Sequence, residues 1–191
     1  MKKLIYIFCL LFFFTSCSGL ITINGSFQGL YSYYKKTKAV KPNLFVPYND
    51  TAKKHTLNKS NDSTIVLITG GELNKLLKTF NNAVVYMWSP KCKSRFCPSL
   101  DVLQQKCDER QIELFVVAET FDINMLQQKH KTVKTLYGIN TDFYKTNFTS
   151  FYRPKFIKDM QKAKEKDDTI NRLFYFKNGQ FIKSVHEIKE L

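Results

Sequence analysis

From Thr64 to the C-terminus, short runs of β-branched and aromatic residues alternate with stretches of helical spacing, and that alternation admits few folds. Thr64-Ile65-Val66-Leu67-Ile68 is a β-branched run punctuated by Gly70-Gly71. Leu73, Leu76, Leu77 and Phe80 then recur at helical spacing. Ala83 to Trp88 and Ile112 to Ala118 are apolar enough to be buried strands. Leu100, Leu103 and Cys107 share one face of a helix predicted over Pro98 to Arg110, and a further helix is expected over Ile123 to Lys134. Arg172 to Phe176 and Gln180 to Val185 flank Lys177-Asn178-Gly179, and Asn-Gly between two apolar runs is a strong hairpin signal. The order is β-α-β-α-β-α, a long insertion, then the hairpin. The insertion, from about Asn140 to Asp168, is long enough to hold a helix of its own, expected around Phe156 to Lys164. The class predicted is α/β: a central mixed sheet with parallel members, helices on both faces and an antiparallel edge supplied by the hairpin.

Such a sheet needs large apolar side chains. Of 191 residues 43% are hydrophobic, with 17 Phe and 10 Tyr, which excludes wholesale disorder. With 7 Gly and 5 Pro the chain is neither collagen-like nor a low-complexity linker.

The N-terminus bears on the compartment. Met1-Lys2-Lys3 is followed by an apolar run, Leu4 to Phe14, of about 11 residues, too short to span a bilayer as a helix. A positive start, a short apolar run and small residues after it read as a secretory signal peptide. Phe14-Thr15-Ser16-Cys17 resembles the lipobox of bacterial lipoproteins, with Phe where Leu is commoner. The resemblance implies cleavage before Cys17 and a lipid on that residue, which would anchor the chain to a membrane of the bacterial cell envelope, facing the periplasm. Three segments follow: a signal peptide over 1–16, a lipid-anchored tether over 17–63 and a folded domain over 64–191. The tether is expected because residues 18 to about 60 lack sustained periodicity and are rich in turn residues.

Lys and Arg total 30 against 16 Asp and Glu, a net charge of +14, which falls to +12 when Lys2 and Lys3 leave with the signal peptide. The charge is dispersed and no nucleic-acid-binding motif accompanies it, so a solvated basic surface near anionic lipid is expected and no nucleic-acid partner. Of five cysteines, Cys9 leaves with the signal peptide and Cys17 takes the lipid. Cys92, Cys97 and Cys107 remain, in an oxidising compartment if the chain is exported. One close pair and one buried singleton is the simplest partition, and Cys107 on an apolar helix face is the singleton.

Cys92 and Cys97 sit between a buried strand and a helix, in Trp88-Ser89-Pro90-Lys91-Cys92-Lys93-Ser94-Arg95-Phe96-Cys97-Pro98. Unpaired N–H groups and the positive end of a helix dipole favour thiolate over thiol, and Lys91, Lys93 and Arg95 add positive charge. Residues five apart on a regular helix rise about 7.5 Å and point to different sides, so the pair closes only if part of 92–97 is loop. Pro98 is suited to the first helical position, which would make Cys97 the N-cap with Cys92 in the loop before it. Either thiol could then carry the lowered pKa.

Strand, Trp-Ser-Pro-Lys-Cys, helix, strand, helix and a terminal Phe176-Lys177-Asn178-Gly179 hairpin resemble the thioredoxin superfamily over about residues 64 to 188. The resemblance implies a three-layer fold, places Cys92 at the nucleophile and Trp88 beside the substrate, and implies thiol-disulfide exchange on protein substrates with no cofactor. Three positions depart from the family pattern. Four residues, not two, separate the cysteines; Tyr86 stands where the family has a buried acid; and Ile170-Asn171 stands where it has a cis-proline, the nearest proline being Pro154. Two other outcomes stay open. One is a binding or structural module with a static Cys92–Cys97 disulfide. The other resembles the Sco-like copper chaperones, with Cys92, Cys97 and either His130 or His186 as ligands.

Overall fold

The computed structural model describes residues 29–49, 64–92, 94, 97–124, 126, 135–162 and 171–190. The protein has a central seven-stranded mixed sheet and, among the described residues, four α-helices. The strands are β1 (Phe45–Pro47), β2 (Ile65–Ile68), β3 (Asn82–Trp88), β4 (Glu113–Ala118), β5 (Leu136–Ile139), β6 (Leu173–Lys177) and β7 (Gln180–Val185). The helices are α1 (Tyr34–Val40), α2 (Gly70–Leu77), α3 (Leu100–Glu109) and α4 (Thr149–Gln161). The spatial order is β1-β2-β5-β4-β3-β6-β7. β1, β2, β5, β4 and β3 run parallel; β6 pairs antiparallel with β3, and β7 with β6.

Along β3, successive side chains enter different cores, as the two-residue period of a strand requires. Val84, Tyr86 and Trp88 join a cluster that takes Leu100, Leu103 and Cys107 from α3 and Tyr34 from α1. Ala83, Val85 and Met87 join a second, with Leu73, Leu76 and Leu77 of α2 and Tyr152, Phe156 and Met160 of α4. Helix α2 starts with a capping box: the Glu72 backbone N–H donates to Thr69 Oγ1 (3.3 Å), and the Thr69 N–H donates to Glu72 Oε2 (2.8 Å). The hairpin turns on Asn178 (φ 50°) and Gly179 (φ 72°), both left-handed, which is the geometry Asn-Gly supplies.

The segment expected to be tether is folded over part of its length. Residues 29–49 pack against the sheet, because Tyr34, Phe45 and Phe121 form an apolar triangle with ring centroids 4.9, 5.7 and 5.3 Å apart. Phe45 pairs in parallel register with Ile65, extending the sheet by β1. The Ser32 carbonyl accepts from the Phe121 N–H (2.7 Å), and Thr37 Oγ1 donates to the Phe121 carbonyl (2.5 Å). Residues 1–28 and 50–63, with the signal peptide, Cys17 and the rest of the expected tether, lie outside the described residues, as does most of the expected 123–134 helix.

The insertion also differs. Its helix begins at Thr149, seven residues before the expected Phe156, and continues through Pro154. Tyr152, Phe156, Ile157 and Met160 lie on one buried face, and that packing outweighs the hydrogen bond Pro154 cannot make. β5 was not anticipated. It is four residues long and contains Gly138, where a Cβ would lie 2.5 Å from the Phe121 ring.

Candidate functional site

β3 ends at Trp88, which is buried, and the chain leaves the sheet through Ser89 and a buried Pro90. The Cys92 N–H closes a turn on the Ser89 carbonyl (3.0 Å), and the Cys97 N–H closes another on the Ser94 carbonyl (2.9 Å). Two successive turns bring the Cα atoms to 6.0 Å, and Cys92 and Cys97 form a disulfide. Both residues are half-buried, so the bridge reaches the surface.

Helix α3 starts later than expected. Ser99, in extended conformation (φ −65°, ψ 146°), is the N-cap and Leu100 the first helical residue. Pro98 therefore precedes the cap, and Cys97 lies two residues outside the helix rather than at its N-cap. Ser99 occupies the N-cap position without a side-chain cap hydrogen bond, so Pro is not at the first helical position here. The dipole acts within the first turn, so its influence on Cys97 is reduced. In that turn the Ser99 hydroxyl, then the Val102 N–H, hold the Asp101 carboxyl below its ordinary pKa.

Lys91, expected to add positive charge in the cysteine loop, is paired with an acid. Its Nζ lies 2.8 Å from Asp122 Oδ2 and 5.1 Å from the Tyr33 ring centroid. Lys93 and Arg95 lie outside the described residues, as does His130. His186 is exposed, just beyond β7, and among the described residues no three His, Cys, Asp or Glu side chains gather into a metal-binding group. Cys107 is fully buried, and burial pushes its thiol up to about 12. It belongs to the core.

Behind the loop lies a charged cluster that the sequence reading missed. Glu119 follows β4, is almost wholly buried, and donates its N–H to the Trp88 carbonyl (2.8 Å). Its Oε1 accepts from Arg153 Nε and its Oε2 from Arg172 Nη1 (3.0 Å). Arg172 Nη1 also donates to the Met87 carbonyl (3.0 Å), and Arg153 Nη2 to the Asn171 carbonyl (2.9 Å). The Tyr152 hydroxyl donates to the Glu119 carbonyl. The ends of β3 and β4, the first turn of α4 and the entry to β6 are thereby joined around one carboxylate. An acid directly after the apolar run Leu114 to Ala118 was the only sequence signal; nothing in the sequence paired it with Arg153 or Arg172.

No family model, curated protein or solved structure matches the chain.

Tyr86, two residues before Trp88, is fully buried, and its hydroxyl has no hydrogen-bond partner among the described residues. Burial pushes it up to about 12, with Arg172 opposing and Glu119 adding to the shift. It is a neutral phenol at physiological pH and holds its proton. Cys92, Cys97 and Pro98 thus share one surface loop with Trp88 behind it, and what that loop can do chemically is form and break one disulfide.

Proposed function

We propose that the protein is an exported, lipid-anchored thiol-disulfide exchange protein with a thioredoxin-like three-layer fold, helices covering both faces of the sheet. The observation that carries this is the half-exposed Cys92–Cys97 bridge at the end of a buried strand and just before a helix. In the reducing direction, the Cys92 thiolate attacks a substrate disulfide, forming a mixed disulfide and releasing one substrate thiolate. The Cys97 thiolate then attacks the Cys92 sulfur, restoring the Cys92–Cys97 bond and releasing the second substrate thiolate. Two electrons pass to the substrate, and the reverse sequence oxidises one. Cys92 is assigned the attack because the resemblance of Trp88-Ser89-Pro90-Lys91-Cys92 to the thioredoxin lead-in places it at the nucleophile position. The signal peptide over 1–16, the lipid on Cys17 and the periplasm-facing location belong to the same proposal.

Tyr86, a neutral phenol in the place of a proton-handling acid, and the Lys91–Asp122 pair favour a second reading, a static bridge in a binding module. The two differ in potential. Thiol trapping with mass spectrometry across a series of redox buffers separates them: a working pair interconverts well above about −300 mV, and a structural bridge stays oxidised to below it. Exchange also requires that Cys92→Ser and Cys97→Ser each abolish reduction of a disulfide substrate. Unchanged turnover in both variants refutes it.

A further inference from the structure

The chain enters the fold beside an exposed aromatic patch. Tyr31 forms an isolated antiparallel bridge with Phe148, their ring centroids 4.9 Å apart, and Phe148 lies 6.0 Å from Phe151. The Thr149 N–H donates to the Leu30 carbonyl (2.8 Å), tying the segment before α1 to the start of α4. Leu30, Tyr31, Phe148 and Phe151 are exposed, Phe151 to 60%. Large apolar side chains that touch one another at the surface mark an interaction site more than scattered ones do.

The charge around the patch is mostly positive, with Asp142, paired to Lys38 at 3.7 Å, and Asp159 at its margin. Residues 29–49 contain four lysines and no acid, and residues 143–158 contain three lysines and one arginine and no acid. Lys35 and Lys36 follow Tyr31 closely, Lys145 precedes Phe148, and Lys155 stands one helical turn beyond Phe151; all four are exposed. Aromatic rings flanked by lysines are the composition that enters the headgroup region of an anionic bilayer.

The lead-in limits how far the patch can stand from an anchor. Gly29 is twelve positions from Cys17, a span of at most about 42 Å when fully extended. A lipid on Cys17 would hold Gly29, beside this patch, within about 42 Å of the membrane. We propose that the face formed by Leu30, Tyr31, Phe148 and Phe151, with its surrounding lysines, rests on the surface of an anionic bilayer. This rests on the lipid-anchor reading of Cys17. Tyr33, two residues beyond Tyr31, packs against Lys91 of the cysteine loop, so a docked face brings the disulfide to the rim of the membrane contact.

The test uses the processed full-length chain in vesicles of brominated phosphatidylcholine with or without phosphatidylglycerol. Mass spectrometry of the processed protein first establishes whether Cys17 carries an acyl group. F151W places an indole on the patch, and I182W places one on β7, at another exposed position, as the comparison. The expected result is about twofold quenching of F151W by the brominated chains, little in I182W, and a loss of the difference without phosphatidylglycerol or on adding K145E/K155E. An acylated chain in which F151W and I182W are quenched alike overturns the docked face and leaves the anchor standing. A chain without an acyl group overturns the anchor and the docked face together. A concentration-dependent blue shift of F151W without vesicles, and no quenching with them, assigns the face to a second copy of this chain and overturns the proposal.

Discussion

Removing the charge of Glu119 is expected to destabilise the protein more than its position beside a loop would indicate. Glu119→Gln keeps the side-chain volume and leaves the guanidiniums of Arg153 and Arg172 without their carboxylate. Breaking a buried ion pair from one side costs about 3–5 kcal/mol. The lower end applies here, because Arg153 keeps the Asn171 carbonyl, Arg172 keeps the Met87 carbonyl, and the Arg172 side chain is 26% exposed. Against a total stability of about 5–15 kcal/mol, a loss of about 3 kcal/mol is large. With a urea slope of about 2 kcal/mol/M the midpoint falls by about 1.5 M. Trp88 is the only tryptophan, is buried, and accepts the Glu119 N–H, so its emission reports the transition. A double-mutant cycle with Arg153→Met should show a coupling of about 1–3 kcal/mol. A midpoint shift below about 0.3 M, or additive single effects, would refute the view that this cluster holds the strand ends together.

Two further outcomes are expected. Gly70→Ala places a Cβ 2.2 Å from the Phe156 carbonyl oxygen on α4 and should cost about 1–3 kcal/mol, whereas Gly71→Ala meets nothing within 4 Å and should gain about 0.5 kcal/mol; thermal melts of both compare them directly. The Cys107 thiol is raised by burial from 9.0 to about 12, so between those values the unfolded chain gives up a proton that the folded chain keeps, and stability falls as pH rises. Urea titrations above pH 9 should show that slope, reduced in Cys107→Ala, and an unchanged slope would count against a buried neutral thiol.

What the sequence made legible was what depends on local period and turn chemistry. β2, β3, β4 and the hairpin follow from apolar runs and Asn178-Gly179, and the buried face of α3 from Leu100, Leu103 and Cys107. The close cysteine pair followed from the loop before a helix. The remainder depended on tertiary contacts. β1 has only three residues and ends in Pro47, and β5 carries Gly138 in the middle of its four, so neither shows the β-branched run that marks β2; each is a strand because a neighbour supplies a ladder. The helix of the insertion begins at Thr149 and runs through Pro154, ahead of the expected Phe156, because Tyr152, Phe156, Ile157 and Met160 are buried in the core. The helix starts at Leu100 rather than Pro98, with Ser99 extended at the N-cap and making no side-chain cap hydrogen bond. Arg153 lies 34 residues from Glu119 and Arg172 lies 53, separations at which a sequence shows composition but no pairing.

The short β1 has a consequence for the sheet as a template. β2 is Ile-Val-Leu-Ile, an uncharged β-branched strand of the kind that recruits further strands when its edge is open. β1 occupies that edge for three residues and ends in Pro47, which has no N–H to offer a newcomer. A fragment cut at Thr64 would retain most of the sheet and lose this cover. It should accumulate thioflavin-positive aggregates on refolding, whereas a chain retaining residues 29–49 should not. On this reading Phe45 and Pro47 cover the edge of β2 against another copy of the chain.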